Sequence, residues 1–78
     1  MPRYYLDLHH NMDVYRDVEG REFESDAKAR MGAVRLLIDT LAGLDEVGTN
    51  TRLFVITARR AEDQDAFAAV STRITSLR

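Results

Sequence analysis

Arg3-Tyr4-Tyr5-Leu6-Asp7-Leu8-His9-His10-Asn11-Met12-Asp13-Val14-Tyr15-Arg16-Asp17-Val18 is the stretch whose reading decides the fold. Over residues 3–9 the side chains alternate. Tyr4, Leu6 and Leu8 point one way and Tyr5, Asp7 and His9 the other, as on a half-buried strand. His10-Asn11 follows, and Asn tolerates the positive φ of a tight turn. Residues 13–18 resume the alternation, with Val14 and Val18 on one face. A loop over residues 10–12 pairs Leu8 with Val14 and Tyr4 with Val18, whereas a one-residue slip exchanges the faces, so burial favours that loop. Arg16 falls on the apolar face, its stem lying along the rim. Asp17-Val18-Glu19-Gly20 reads as a closing turn.

Outward from this hairpin, Ser25 suits a helix N-cap and Asp26 suits the first turn. Ala27, Met31, Val34, Ile38 and Leu41 recur at helical spacing, with Leu37 and Leu44 widening the stripe. The stripe predicts an amphipathic helix whose apolar side is the core. Two ends are open for it: a left-handed cap at Gly43 with Leu44 folding back, or a run to Val47 capped by Gly48. Leu53-Phe54-Val55-Ile56-Thr57-Ala58 is apolar and β-branched and predicts a central strand. Arg59 to Asp65 is a charged connection. Residues 66–77 fit both periods, and the alternation of Ala66, Ala68, Val70, Thr72 and Ile74 favours strand over helix. The predicted order is ββαββ: an α+β domain with a four-stranded antiparallel sheet and one amphipathic helix packed on one face. The other face then has no cover within the chain.

Composition sets the outer limits. Seventy-eight residues make one domain, residues 1–78, with a thin core. Cysteine is absent, which excludes disulfides and cysteine-ligated zinc. The net charge of −2 indicates no strong nucleic-acid or membrane field. Residues 1–50 carry ten acids and six bases, and residues 51–78 three acids and five bases. Ten of the eleven basic residues are Arg, which suits bidentate contacts to carboxylate or phosphate but equally reflects coding bias. No signal-like or membrane-length apolar stretch is visible, so a cytoplasmic setting is expected.

The chain resembles a family of short bacterial proteins, a domain of unknown function common in rhizobia-like bacteria, which open Met-x-Arg-Tyr-x-x-Asp-x-His. Arg3, Tyr4, Asp7 and His9 carry that likeness, followed by Asp17, Glu19 and Gly20 of an Asp-x-x-Gly turn, then Ala27 and Ala29. The likeness is good over residues 1–42. The family follows its His with Asp-Gly where this chain has His10-Asn11. It turns its last hairpin on Asp-Gly where this chain has Glu62-Asp63-Gln64-Asp65. The resemblance implies a ββαββ fold and supplies no catalytic residues.

Three constellations bear on function. In the favoured register Tyr5, Asp7, His9, Asp13, Tyr15 and Asp17 share the outward face of the first hairpin. Such neighbours lie about 4.5–5.5 Å apart at Cβ, and Tyr among acids suits a partner contact. Asp7, His9 and Asp13 could hold a divalent metal, but no fixing shell is visible, so no metal or cofactor is expected. His9-His10 could serve acid–base chemistry. The chain shows no nucleophile with a base, and its four glycines are scattered, so no enzyme is expected. Arg52, Arg59, Arg60 and Arg73 could grip phosphate, although Arg59 and Arg60, being adjacent, point to opposite faces. Their bland role is to protect a sheet edge.

The sequence therefore predicts a small non-catalytic interaction or regulatory module. It is expected to form a homodimer through a sheet face or edge, with Tyr5 and Tyr15 as anchors and room for an unidentified protein partner. The alternative is a nucleic-acid-associated regulator using Arg59 and Arg60, its chain order loosely similar to sheet-and-helix antitoxins of the HicB type, and a third reading is a metal- or ligand-binding protein at the Asp7/His9/Asp13 patch.

Overall fold

The computed structural model describes residues 1–43 and 52–75. The chain runs β1 (Arg3–His10), β2 (Asp13–Tyr15), β3 (Arg21–Glu22), α1 (Asp26–Ala42), β4 (Arg52–Arg60) and β5 (Ala66–Ile74). The main sheet order is β2-β1-β4-β5, every pair antiparallel, and β3 pairs with β1 beyond β2. The expected α+β class with an antiparallel sheet is present. The expected order of two strands before the helix is not, because the second strand is split in two.

The split has a local cause. β1 pairs with β2 as Leu8↔Tyr15 and His10↔Asp13, and with β3 as Tyr4↔Arg21. Residues 16–20 leave the ladder between them. The expected pairing of Leu8 with Val14 is therefore replaced by His9↔Val14, and the turn shortens to Asn11-Met12. Asn11 sets it. The residue sits at φ 55°, its N–H donates to the Leu53 carbonyl at 3.0 Å, and its Oδ1 accepts from the Leu53 N–H at 3.0 Å. Burial exerts no pull here, since Val14 and Val18 are both exposed on this outer edge.

β4 takes the central place expected of it, between β1 and β5. Residues 66–74 form a strand, as their alternation favoured. An irregularity at Ala58/Arg59 shifts the start of β5, so Phe67 rather than Ala66 packs against the core.

Helix α1 begins where expected: the Ser25 hydroxyl accepts from the Lys28 N–H at 3.2 Å. It ends at Gly43, which is right-handed (φ −87°) and not the left-handed cap anticipated. Leu44, Val47 and Gly48 lie outside the described residues. The buried helix residues are Ala29, Ala33 and Leu37, and the last two join Leu6, Phe54, Ile56 and Ala58 in one core cluster. The expected stripe is thus divided: Leu37 is in the core and Leu41 packs against it, whereas its Met31 and Ile38 side is turned outward. Met31 and Ile38 are 60% and 54% exposed. Small residues explain the rotation: at Gly32 a Cβ would stand 2.5 Å from Phe23 Cζ, so the bare backbone lets the Phe23 ring seat against the helix.

Candidate functional site

Strand alternation sets Tyr5, Asp7 and His9 of β1 on the sheet face opposite the core, beside Val55, Thr57 and Arg59 of β4. A polar network fills this face. Asp7 is only 3% exposed although it faces away from the helix. Its Oδ2 accepts from Arg59 Nε at 3.0 Å, and its Oδ1 accepts from Arg59 Nη2 at 3.2 Å and from the Asp17 N–H at 3.0 Å. The Arg59 guanidinium lies 4.5 Å from the Tyr5 ring centroid, and its Nη1 donates to Gln64 Oε1. Gln64, at φ 63°, lies in the turn between β4 and β5. The Thr57 hydroxyl stands 3.4 Å from His9 Nε2.

Burial pushes the Asp7 carboxyl up, but the Arg59 hydrogen bond, the Asp17 N–H and the Arg59 charge outweigh it and hold it below the usual value. Arg59 is held above its usual value, chiefly by its hydrogen bond to Asp7. Both Asp7 oxygens are thus engaged by hydrogen bonds from Arg59 and the Asp17 N–H.

Asp17 plays a part that alternation could not reveal. Its Oδ2 accepts from the Leu6 N–H at 3.0 Å, where an unbroken edge strand would offer a carbonyl. Its Oδ1 accepts from the Gly20 N–H at 3.0 Å and the Glu19 N–H at 3.2 Å. Burial raises its pKa, and the hydrogen bonds from Gly20, Leu6 and Glu19 lower it further than burial raises it. Gly20 closes the excursion at φ 76°. The Asp-x-x-Gly signature is the one trace of this plug in the sequence.

A second group forms at the helix start. The Tyr4 hydroxyl donates to Asp26 Oδ1 at 2.8 Å, and Arg60 forks onto both Asp26 oxygens, with Nε 3.2 Å from Oδ1. Arg60 also lies 4.6 Å from the Phe67 ring centroid. Hydrogen bonds from Arg60 and Tyr4 hold the Asp26 carboxyl below its usual value, and the same Tyr4 bond raises the phenol. Pro2, Arg3 and Glu62 complete a cavity of about 290 Å³ around this group.

The predicted sites are only partly assembled. Tyr5, Asp7 and His9 share a face, but Asp13 and Tyr15 pair with His10 and Leu8 and so stand on the other one. The shorter turn causes this by moving the register one residue. Asp7, His9 and Asp13 are therefore not convergent, and among the described residues no group of three or more His, Asp or Glu is placed to hold a metal. The four arginines divide as well. Arg59 and Arg60 sit at one end of β4, on opposite faces, each bound to an acid. Arg52 and Arg73 lie at the other end, opposite Ile74 and Leu53 in the ladder. They form no single phosphate-binding patch. Among the described residues no helix is long and apolar enough to cross a membrane.

The fold and this face define a small α+β domain in which Asp7 is bound to Arg59 and Asp17, and Asp26 to Tyr4 and Arg60. The model of one family, a domain of unknown function (DUF6894), matches residues 3–71, and the chain belongs to that family. No curated protein and no solved structure matches the chain. The motif residues Tyr4, Asp7, Asp17 and Gly20 all serve the architecture here: a hydroxyl on the helix start, a buried ion pair, an edge plug and a left-handed turn.

Proposed function

We propose that this domain is a non-catalytic interaction module that associates with itself through its sheet. The supporting observation is the inequality of the two sheet edges. The β2/β3 edge is short, interrupted at residues 16–20 and filled by the Asp17 carboxylate. β5 is the other edge: nine residues long, without Pro or Lys, and with Arg73 as its single charge. Natural sheets blunt exposed edges with charge, proline, bulges or short strands. This chain plugs one side with a carboxylate, and among the described residues no strand lies beside the roughly 30 Å of β5 on the other, where the irregularity near Phe67 and the charge of Arg73 are confined to the two ends. The contact proposed here lies along β5, because Tyr5 is engaged with Arg59 and Tyr15 stands on the other face.

Light scattering on a size-exclusion peak, over a dilution series, tests this reading. A mass of twice 8.9 kDa that persists at micromolar chain supports it. A monomer throughout the series overturns it.

A further inference from the structure

We infer that the partner of the β5 edge is β5 of a second copy, running antiparallel across a two-fold axis, with the two α1 helices beside each other on the same sheet face. This inference rests on the self-association proposed above and specifies its geometry. Two independent features carry it.

The first is charge. The turn entering β5 holds Glu62, Asp63 and Asp65, all exposed, while Arg73 is exposed near the strand's end. Arg52 lies beside that end, opposite Ile74. Parallel pairing of two copies would set acid beside acid and arginine beside arginine. Antiparallel pairing brings the acidic turn of each copy to the arginine end of the other, twice, as an isologous two-fold contact requires.

The second is the rotated helix. Phe23 sits against Gly32 on the flank facing β3. Helix α1 packs on β4 and β5, and Val34, Ile38 and Met31 lie about 100°, 140° and 160° round its axis from buried Ala33, away from the Phe23 flank, with Val34 lowest and Met31 nearly opposite the sheet. Met31 and Ile38 are both more than half exposed. The flank carrying Val34 is thus the one from which the apolar surface continues outward, and a second copy added at β5 brings its own helix beside the first on the same sheet face, so a two-fold contact narrows the exposure of that flank.

The absence of cysteine allows a clean test. Ser71 is exposed near the middle of β5, so a nitroxide on Ser71→Cys reports the seam without touching the core. Given a strand spacing of about 4.8 Å, the two labels are expected within roughly 20 Å of each other by pulsed electron resonance. Arg73→Asp is expected to weaken the dimer by about tenfold or more in Kd, and Arg73→Asp with Asp65→Arg to restore it. Circular dichroism checks that each variant is folded. A dimer whose labels lie beyond roughly 35 Å, or which ignores Arg73→Asp, overturns the geometry while leaving self-association standing. A chain that never dimerises overturns both.

Discussion

Removing the Asp17 carboxylate tests whether a side chain replaces a strand. The Leu6 N–H belongs to a residue 4% exposed, and its acceptor is Asp17 Oδ2 at 3.0 Å. Asp17→Ala leaves that buried donor unpaired, which costs about 1–3 kcal/mol. Glu19 is exposed, so its N–H is rehydrated at little cost. Gly20 is half-buried, and its bond to a charged acceptor adds about 1 kcal/mol. The expected loss is about 2–4 kcal/mol. A domain of this length holds roughly 4–12 kcal/mol in all, so the variant should be visibly weakened yet folded. Urea unfolding at pH 7 reads the loss as a lower midpoint at unchanged slope. Amide exchange assigns it, because the Leu6 N–H should lose protection that the Ile56 N–H keeps. Asp17→Asn retains one acceptor oxygen and should lose about half as much. A loss below about 0.5 kcal/mol for Asp17→Ala, the range of an ordinary surface change, would refute the reasoning.

Two further predictions follow from the packing and the acids. Gly32→Ala should lower Tm despite the better helix propensity of alanine, worth about 1 kcal/mol, because its Cβ would meet the Phe23 ring at 2.5 Å and displace it; a raised Tm would show that Phe23 does not depend on that seat. Asp7 and Asp17 are both held below the usual carboxylate value of 3.8, so their contribution is fully present above that pH and is lost as pH falls through the lower folded values. Urea midpoints should stay level from about pH 7 to 5 and drop below about pH 4, and Asp17→Ala should show a shallower drop; equal slopes in both proteins would exclude Asp17 from the acid response.

The limits of the sequence reading follow from the physics of each element. β4 and α1 were legible because long apolar or periodic runs carry strong signals. The face of α1 was legible only in part. Periodicity points to the large apolar residues, and Leu37 and Leu41 do pack on the core, but close approach to the sheet selected Ala29 and Ala33, and Phe23 took its seat at Gly32, which left Met31 and Ile38 outside. The break after Tyr15 is invisible in the pattern because the alternation of residues 13–18 continues through Asp17. Nothing in a pattern of faces shows that a carboxylate stands in for a peptide carbonyl. The Asp7–Arg59 pair joins residues 52 apart in sequence, and only the β1/β4 register brings them together. The pairing of Arg60 with Asp26 is hidden for the same reason, each having an adequate local account as an edge charge and a first-turn acid.

The polar line Asp17–Asp7–Arg59–Gln64 crosses the sheet from its interrupted edge to the turn before β5. Asp7 and Arg59 are diagonal neighbours, since Asp7 pairs with Thr57 and Tyr5 with Arg59. Sliding β4 by one residue would turn Arg59 into the apolar core and Ile56 out of it. Sliding it by two would keep the faces but part the ions, and an uncompensated buried charge costs about 3–5 kcal/mol. Apolar packing of Leu6 against Ile56 and Ala58 resists the first slip; the ion pair resists the second, which apolar packing alone tolerates better. The same line ends on Gln64, whose N–H donates to the Arg60 carbonyl at 2.8 Å, so it also fixes the point from which β5 departs. The face that looked free for a ligand is thus occupied in holding the register of the central strands and the position of the edge strand.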